Sequence, residues 1–199
     1  GTGIDINESS FENWQSAQER EPNIISNNGE EAFYINSGNL NLYGGLSSDG
    51  NNSISQSNRF LISGHQIGIK ARNGSVVNLK RVDIKENSEH GIRISENSIL
   101  NTHFDSDNED ESGGVIISNN GPNNGDCSTN DNGYGLSIKN NSVANLEFIK
   151  IIDNCEGVRV ERNSSMVGGW AGDNSNINYG IIVQGNKRNG MEIKQNSSV

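Results

Sequence analysis

Through most of this chain apolar and polar residues alternate over short stretches, and each stretch is led by a glycine. The unit reads Gly, apolar, any, apolar, any, any, Asn or Gly, then a small residue. It occurs as Gly68-Ile69-Lys70-Ala71-Arg72-Asn73-Gly74-Ser75 and Gly91-Ile92-Arg93-Ile94-Ser95-Glu96-Asn97-Ser98. It recurs as Gly135-Leu136-Ser137-Ile138-Lys139-Asn140-Asn141-Ser142, Gly157-Val158-Arg159-Val160-Glu161-Arg162-Asn163-Ser164 and Gly190-Met191-Glu192-Ile193-Lys194-Gln195-Asn196-Ser197. A degenerate copy begins at Gly114, with Val115 and Ile117 as its apolar pair, so that the leading glycines lie 23, 23, 21, 22 and 33 residues apart. A period of two predicts a strand with one buried face. The Asn or Gly that follows predicts a tight turn. A second apolar stretch comes after the turn, as in Val76 to Leu79, and a third precedes the next glycine, as in Val82 to Asn87.

No single unit of this kind can bury its apolar face, so successive units must stack and pair in parallel. The expected fold is therefore all-β, a right-handed single-stranded parallel β-helix with coils of about 22 residues, its hand following the usual right-handed crossover. Ile69, Ile92, Leu136, Val158 and Met191 would form one interior column, with Ala71, Ile94, Ile138, Val160 and Ile193 beside it. The units led by Gly68, Gly91, Gly135, Gly157 and Gly190 would occupy one face of the solenoid with their strands in register. Asn97, Asn141, Asn163 and Asn196 would ladder through their side-chain amides at the turn that follows. Residues 1–67 read as irregular N-terminal coils or a cap, in which Phe11 to Arg20 is the one stretch with helical character. Residues 68–199 read as the regular part, expected to continue past Val199 because Asn196-Ser197-Ser198-Val199 stops where a second strand should start.

Composition supports stacking over a central globular core. Hydrophobic residues make up only 31%, against 34 Asn, 26 Ser and 24 Gly, a bias that suits many turns per repeat. The net charge of −10 and the lack of a Lys/Arg cluster argue against nucleic acid as a partner. No stretch nears the ~20 apolar residues of a membrane span. Cys127 and Cys155, both in turn-like contexts, are candidates for a disulfide in an oxidising compartment.

Candidate chemistry sits where the repeat is interrupted, since insertions in stacked-repeat proteins project as loops. Asp105, Asp107, Glu109 and Asp110 form an acidic run with oxygen ligands of the kind calcium takes, or else a solvated charge run. The 33-residue spacing holds about ten extra residues between Met166 and Tyr179. There Trp170 could stack on a sugar face, with Asp173, Asn174 and Tyr179 near it, or else fold back as a cap. No pair of carboxylates is stacked as glycosidic cleavage requires, and His65, His90 and His103 lack metal-ligand spacing. No catalytic residue is assigned.

The glycine-led units, with sparse aromatics and Asn/Ser-rich turns, resemble the parallel β-helix superfamily that includes pectate lyases, polygalacturonases and phage tailspikes, over roughly Gly68 to Val199. The resemblance implies a structural or binding module of a virion tail fibre or tailspike, a homotrimer on the virion or outside the cell that recognises surface polysaccharide. A carbohydrate-active lyase, hydrolase or epimerase, or a bacterial surface adhesin, would share the same features.

Overall fold

The computed structural model describes residues 1–14, 23–45, 59–103, 114–122, 126–127, 133–169 and 180–199. Every regular element among them is a strand. In chain order these are β1 (Ile4–Asn7), β2 (Ser10–Trp14), β3 (Ile24–Asn36), β4 (Asn39–Tyr43), β5 (Phe60–Arg72), β6 (Val76–Lys80), β7 (Val82–Lys85), β8 (His90–Ile94) and β9 (Ile99–Thr102). There follow β10 (Val115–Ser118), β11 (Tyr134–Lys139), β12 (Val143–Leu146), β13 (Ile149–Ile152), β14 (Glu156–Glu161), β15 (Ser165–Gly168), β16 (Ile181–Gln184) and β17 (Met191–Ile193). The helical character expected from Phe11 is not realised up to Trp14, which belongs to β2.

The strands gather into an eleven-stranded and a six-stranded sheet. Every pairing is parallel, as in β5 with β8, β11 with β14 and β6 with β9. The main path of the larger sheet is β16-β13-β10-β7-β5-β8-β11-β14-β17, with β3 and β1 attached at β5. Two strands of 13 residues, β3 and β5, make it continuous. The first half of β5 pairs with β7 (Phe60↔Val82) and the second with β8 (Ile69↔Ile92), so two arms diverge from one strand. The sheet thus curls into a nearly closed wall, and the six-stranded sheet β15-β12-β9-β6-β4-β2 supplies apolar residues to the same core.

This arrangement overturns the expected single-stranded β-helix with coils of about 22 residues. Residues in register are separated by anything from 22 positions (Leu136↔Val158) to 44 (Ile92↔Leu136). The rows expected to be separate ladders are joined through β3 and β5. Gly114 also does not begin a copy of the repeat: Val115 pairs with Ile149, in the other arm from Leu136. The physical reason is that an apolar pair on a period of two specifies a half-buried strand without specifying which arm it joins.

The two columns form in register, and they are interior as far as Val158 and Val160, while Met191 and Ile193 at their end are exposed. Ile69, Ile92, Leu136, Val158 and Met191 are in register, as are Ala71, Ile94, Ile138, Val160 and Ile193. Close packing at the corner requires glycine at Gly68, Gly91, Gly135 and Gly157, whereas Gly190 has room for a Cβ. A Cβ on Gly68 would lie 2.6 Å from the carbonyl oxygen of Gly91, and one on Gly135 2.6 Å from Ile151 Cγ2.

Polar ladders run alongside the apolar columns. Asn97, Asn141, Asn163 and Asn196 have φ of 59° to 63° and each follows another residue of positive φ, so they serve as turn formers with exposed side chains. The ladder expected of them lies elsewhere. The adjacent serines carry one: the N–H groups of Ser75, Ser98, Ser142 and Ser164 each donate to the hydroxyl of the next serine, Ser98, Ser142, Ser164 and Ser197, at 3.2 Å. At the opposite corner Asn87, Asn120, Asn154 and Asn186 form a second, with Nδ2 to Oδ1 distances of 2.9, 2.8 and 3.2 Å.

Candidate binding face

In a strand with apolar residues inside, the intervening side chains face outward. In the second arm these are the unspecified positions of the repeat. Register places Tyr34, Lys70, Arg93, Ser137, Arg159 and Glu192 in one column, one residue from each of β3, β5, β8, β11, β14 and β17. Lys139 and Glu161 pair in the neighbouring column.

One end of this face is a mixed-charge network. Arg159 Nε lies 2.8 Å from Glu161 and 3.5 Å from Glu192, and its guanidinium stands over the Tyr134 ring at 5.3 Å. Lys139 Nζ is 3.2 Å from Glu161, and Lys194 is 2.6 Å from Glu192. The Tyr134 hydroxyl donates to Glu192 at 3.2 Å, and its ring meets His90 at 5.8 Å. Glu156 is held by Arg188 at 2.9 Å and by the Asn189 N–H. At the other end Lys70 pairs with Glu31 at 2.7 Å, and Lys70 and Arg72 both lie over the Tyr34 ring.

Burial and charge set the protonation states. Burial pushes the Tyr134 phenol well above its ordinary range, so it stays neutral. Burial also acts to raise the Glu192 carboxyl, but Lys194, Tyr134 and Arg159 outweigh it and hold the group below the usual carboxylate value. Glu31 is lowered in the same way by Lys70 and Thr2 against its burial. Lys139 is lowered, chiefly by burial, with Arg159 and Arg93 contributing and Glu161 opposing.

The centre of the face differs from its ends. Arg93 is half-buried, and its side chain makes no hydrogen bond or ion pair among the described residues. Its column neighbours are Lys70 and Ser137. Ser137 is fully buried and its hydroxyl finds no partner among the described residues.

A shallow cleft of about 180 Å³ opens at a corner, where Asn119, Pro122, Asp153 and Lys187 surround Cys155. Cys155 is bonded to Cys127. Arg188 Nη1 donates to the Cys127 carbonyl at 3.2 Å and also pairs with Glu156, the first residue of β14.

Trp170, Asp173, Asn174 and Tyr179 lie outside the described residues, as do Asp105, Asp107, Glu109 and Asp110. Among the described residues no group of three His, Cys, Asp or Glu side chains is placed to hold a metal ion. Tyr134, Arg93, Ser137, Lys139, Arg159, Glu161 and Glu192 were not singled out by sequence reasoning. Apart from Tyr134, which precedes its unit's glycine, they occupy the third and fifth positions of the units, the residues between the apolar pair and just after it. No family model, curated protein or solved structure matches the chain.

Proposed function

We propose that the chain is a rigid structural and binding module displayed on a virion fibre or a cell surface, with polysaccharide as its ligand. One observation carries this reading: the outer column from Tyr34 to Glu192 holds one polar or aromatic side chain on each of six strands. At about 4.8 Å per strand it runs for roughly 24 Å. Tyr34, Lys70, Arg93 and Glu192 are the partly exposed members of this line, with Ser137 and Arg159 buried between them, and a line of that length suits an extended polymer. The corner cleft, at about 180 Å³, falls short of the roughly 300 Å³ at which small-molecule pockets begin. The disulfide between Cys127 and Cys155 suits an oxidising setting outside the cell.

Cleavage is the weaker reading. Glu161 and Glu192 do come together on Arg159, which the repeat alone did not reveal. General acid catalysis, however, needs a carboxyl whose pKa is raised, and Glu192 is held below the usual value by its cationic neighbours.

A panel of immobilised polysaccharides tests the proposal. Wild-type protein should bind a subset of them, Tyr34→Ala and Arg93→Gln should weaken that binding, and bound polymer should release no new reducing ends or unsaturated products. Binding to none would refute the glycan role, and release of products would favour the enzyme.

A further inference from the structure

We infer that Arg93, Ser137 and Lys139 form a site for a tetrahedral oxyanion, a sulfate or phosphate monoester carried on the polysaccharide. The inference rests on the glycan reading above and names the group recognised.

The first ground is charge. Every other cation described at the centre of the face has a carboxylate partner: Lys70 has Glu31, and Lys139 and Arg159 share Glu161. Arg93 has none among the described residues. It stands in register between Lys70 and Ser137 and close enough to Lys139 to disfavour its charge. On a chain of net charge −10, an unpaired guanidinium flanked by cations is a local excess of positive charge, and an anion would relieve it.

The second ground is the Ser137 hydroxyl. A buried polar group without a partner is uncommon in native proteins. Ser137 lies between two arginines, Arg93 and Arg159. An anion entering between the Arg93 and Ser137 side chains would give this hydroxyl the acceptor it lacks.

The third ground is direction. A planar carboxylate matches the fork of one arginine. Here the donors come from three side chains on two strands and two columns, guanidinium, hydroxyl and ammonium. Three donors on separate side chains, Arg93 beside Ser137 in register and Lys139 two residues along the same strand, suit the three free oxygens of a monoester better than the two of a carboxylate.

Thermal melting of the intact chain, wild type, Arg93→Gln and Ser137→Ala, in chloride, acetate, sulfate and phosphate at equal ionic strength tests the anion site without any sugar. Sulfate or phosphate should raise the melting temperature of wild type more than acetate does, and in Arg93→Gln this increment should shrink to the general salt effect. Comparing variants in the same salt removes the general stabilising effect of sulfate. Without added anion Ser137→Ala should melt no lower than wild type, because it deletes a hydroxyl with no partner. Equal increments in wild type and Arg93→Gln, or acetate matching sulfate, would overturn the site.

Unmodified, carboxymethyl, sulfated and phosphorylated dextrans supply the polymer arm and separate the two sources of the oxyanion. Sulfated or phosphorylated polymer should bind, about tenfold more weakly to Arg93→Gln and about threefold more weakly to Ser137→Ala. Preference for the neutral or carboxymethyl polymer would overturn the inference and leave the glycan reading standing. An Arg93-dependent response to inorganic sulfate with no binding to any polysaccharide would do the reverse.

Discussion

Asn120 donates from Nδ2 to Asn154 Oδ1 at 2.8 Å, and its backbone N–H reaches the same oxygen at 3.0 Å. The second Nδ2 hydrogen of Asn154 goes to the carbonyl of Ile117 at 3.2 Å, and Asn154 in turn gives both its N–H and Nδ2 to Asn186 Oδ1. Both asparagines are buried, so each hydrogen bond replaces one that water would otherwise make. The amide closes a tight corner and carries the bonding to the next strand.

Asn154→Ala should therefore be severely destabilising. It strands the Asn120 N–H and one Nδ2 hydrogen, the other remaining on the Ile84 carbonyl, and takes a donor from the Ile117 carbonyl, each loss at about 1–3 kcal/mol, for a total of roughly 3 kcal/mol or more. Asn163→Gly, at an exposed turn with φ of 59°, should shift stability by less than about 0.5 kcal/mol. Urea unfolding of the two variants checks the contrast, and near-equal losses would contradict the ladder's role.

Reduction of the Cys127–Cys155 bond should lower stability by roughly 3–4 kcal/mol on the chain-entropy model for a loop of this size, the two cysteines being 28 residues apart. A Cys127→Ser, Cys155→Ser double variant should match the reduced protein. Melting temperatures with and without reductant provide the measurement.

His65 predicts a pH dependence. Its Nδ1 accepts from the Asn28 N–H at 3.2 Å and its Nε2 lies 3.1 Å from the Ile25 carbonyl, an arrangement that suits the neutral ring with its proton on Nε2. Burial, opposed only by the Ile25 carbonyl, lowers its pKa from the ordinary 6.5. The unfolded chain thus takes up the proton first. The stability contributed by the neutral ring is complete above about pH 6.5 and is lost as pH falls through the folded value. Melting temperature should decline between pH 7 and 5, before Glu31 and Glu192 begin to protonate, and His65→Gln should flatten that decline. An unchanged slope would show that another group is responsible.

Val160→Asp places a carboxylate in a column where Ile138 and Ile193 are its register partners and the side chain is wholly buried. The cost should be several kcal/mol. Circular dichroism melting of this variant against Val160→Ile, which keeps the apolar character, distinguishes the lost burial from any change at the site.

Trp170→Ala separates the insertion from the strand face as the place of glycan contact. If the outer column carries binding, this substitution should change affinity less than Arg93→Gln does. The same polysaccharide panel reads both.

The sequence by itself determined the strands and the columns through Ile69 and Ala71, because alternation on a period of two is local and sets each apolar pair on one face of its strand wherever that strand lies. It also marked the corner glycines and the turn asparagines, whose chemistry is decided by the backbone at one position. Tertiary structure decided the rest. The length of β5 and the pairing of its two halves with different strands turned separate rows into one curled sheet. Asn87, Asn120, Asn154 and Asn186 became a ladder although 32 to 34 residues separate each from the next, since only stacking brings their amides within reach. The outer face was concealed for the same reason. Arg93 and Ser137 are 44 positions apart and adjacent only because β8 and β11 pair, and a charge or hydroxyl gains its meaning from neighbours that the linear order does not show.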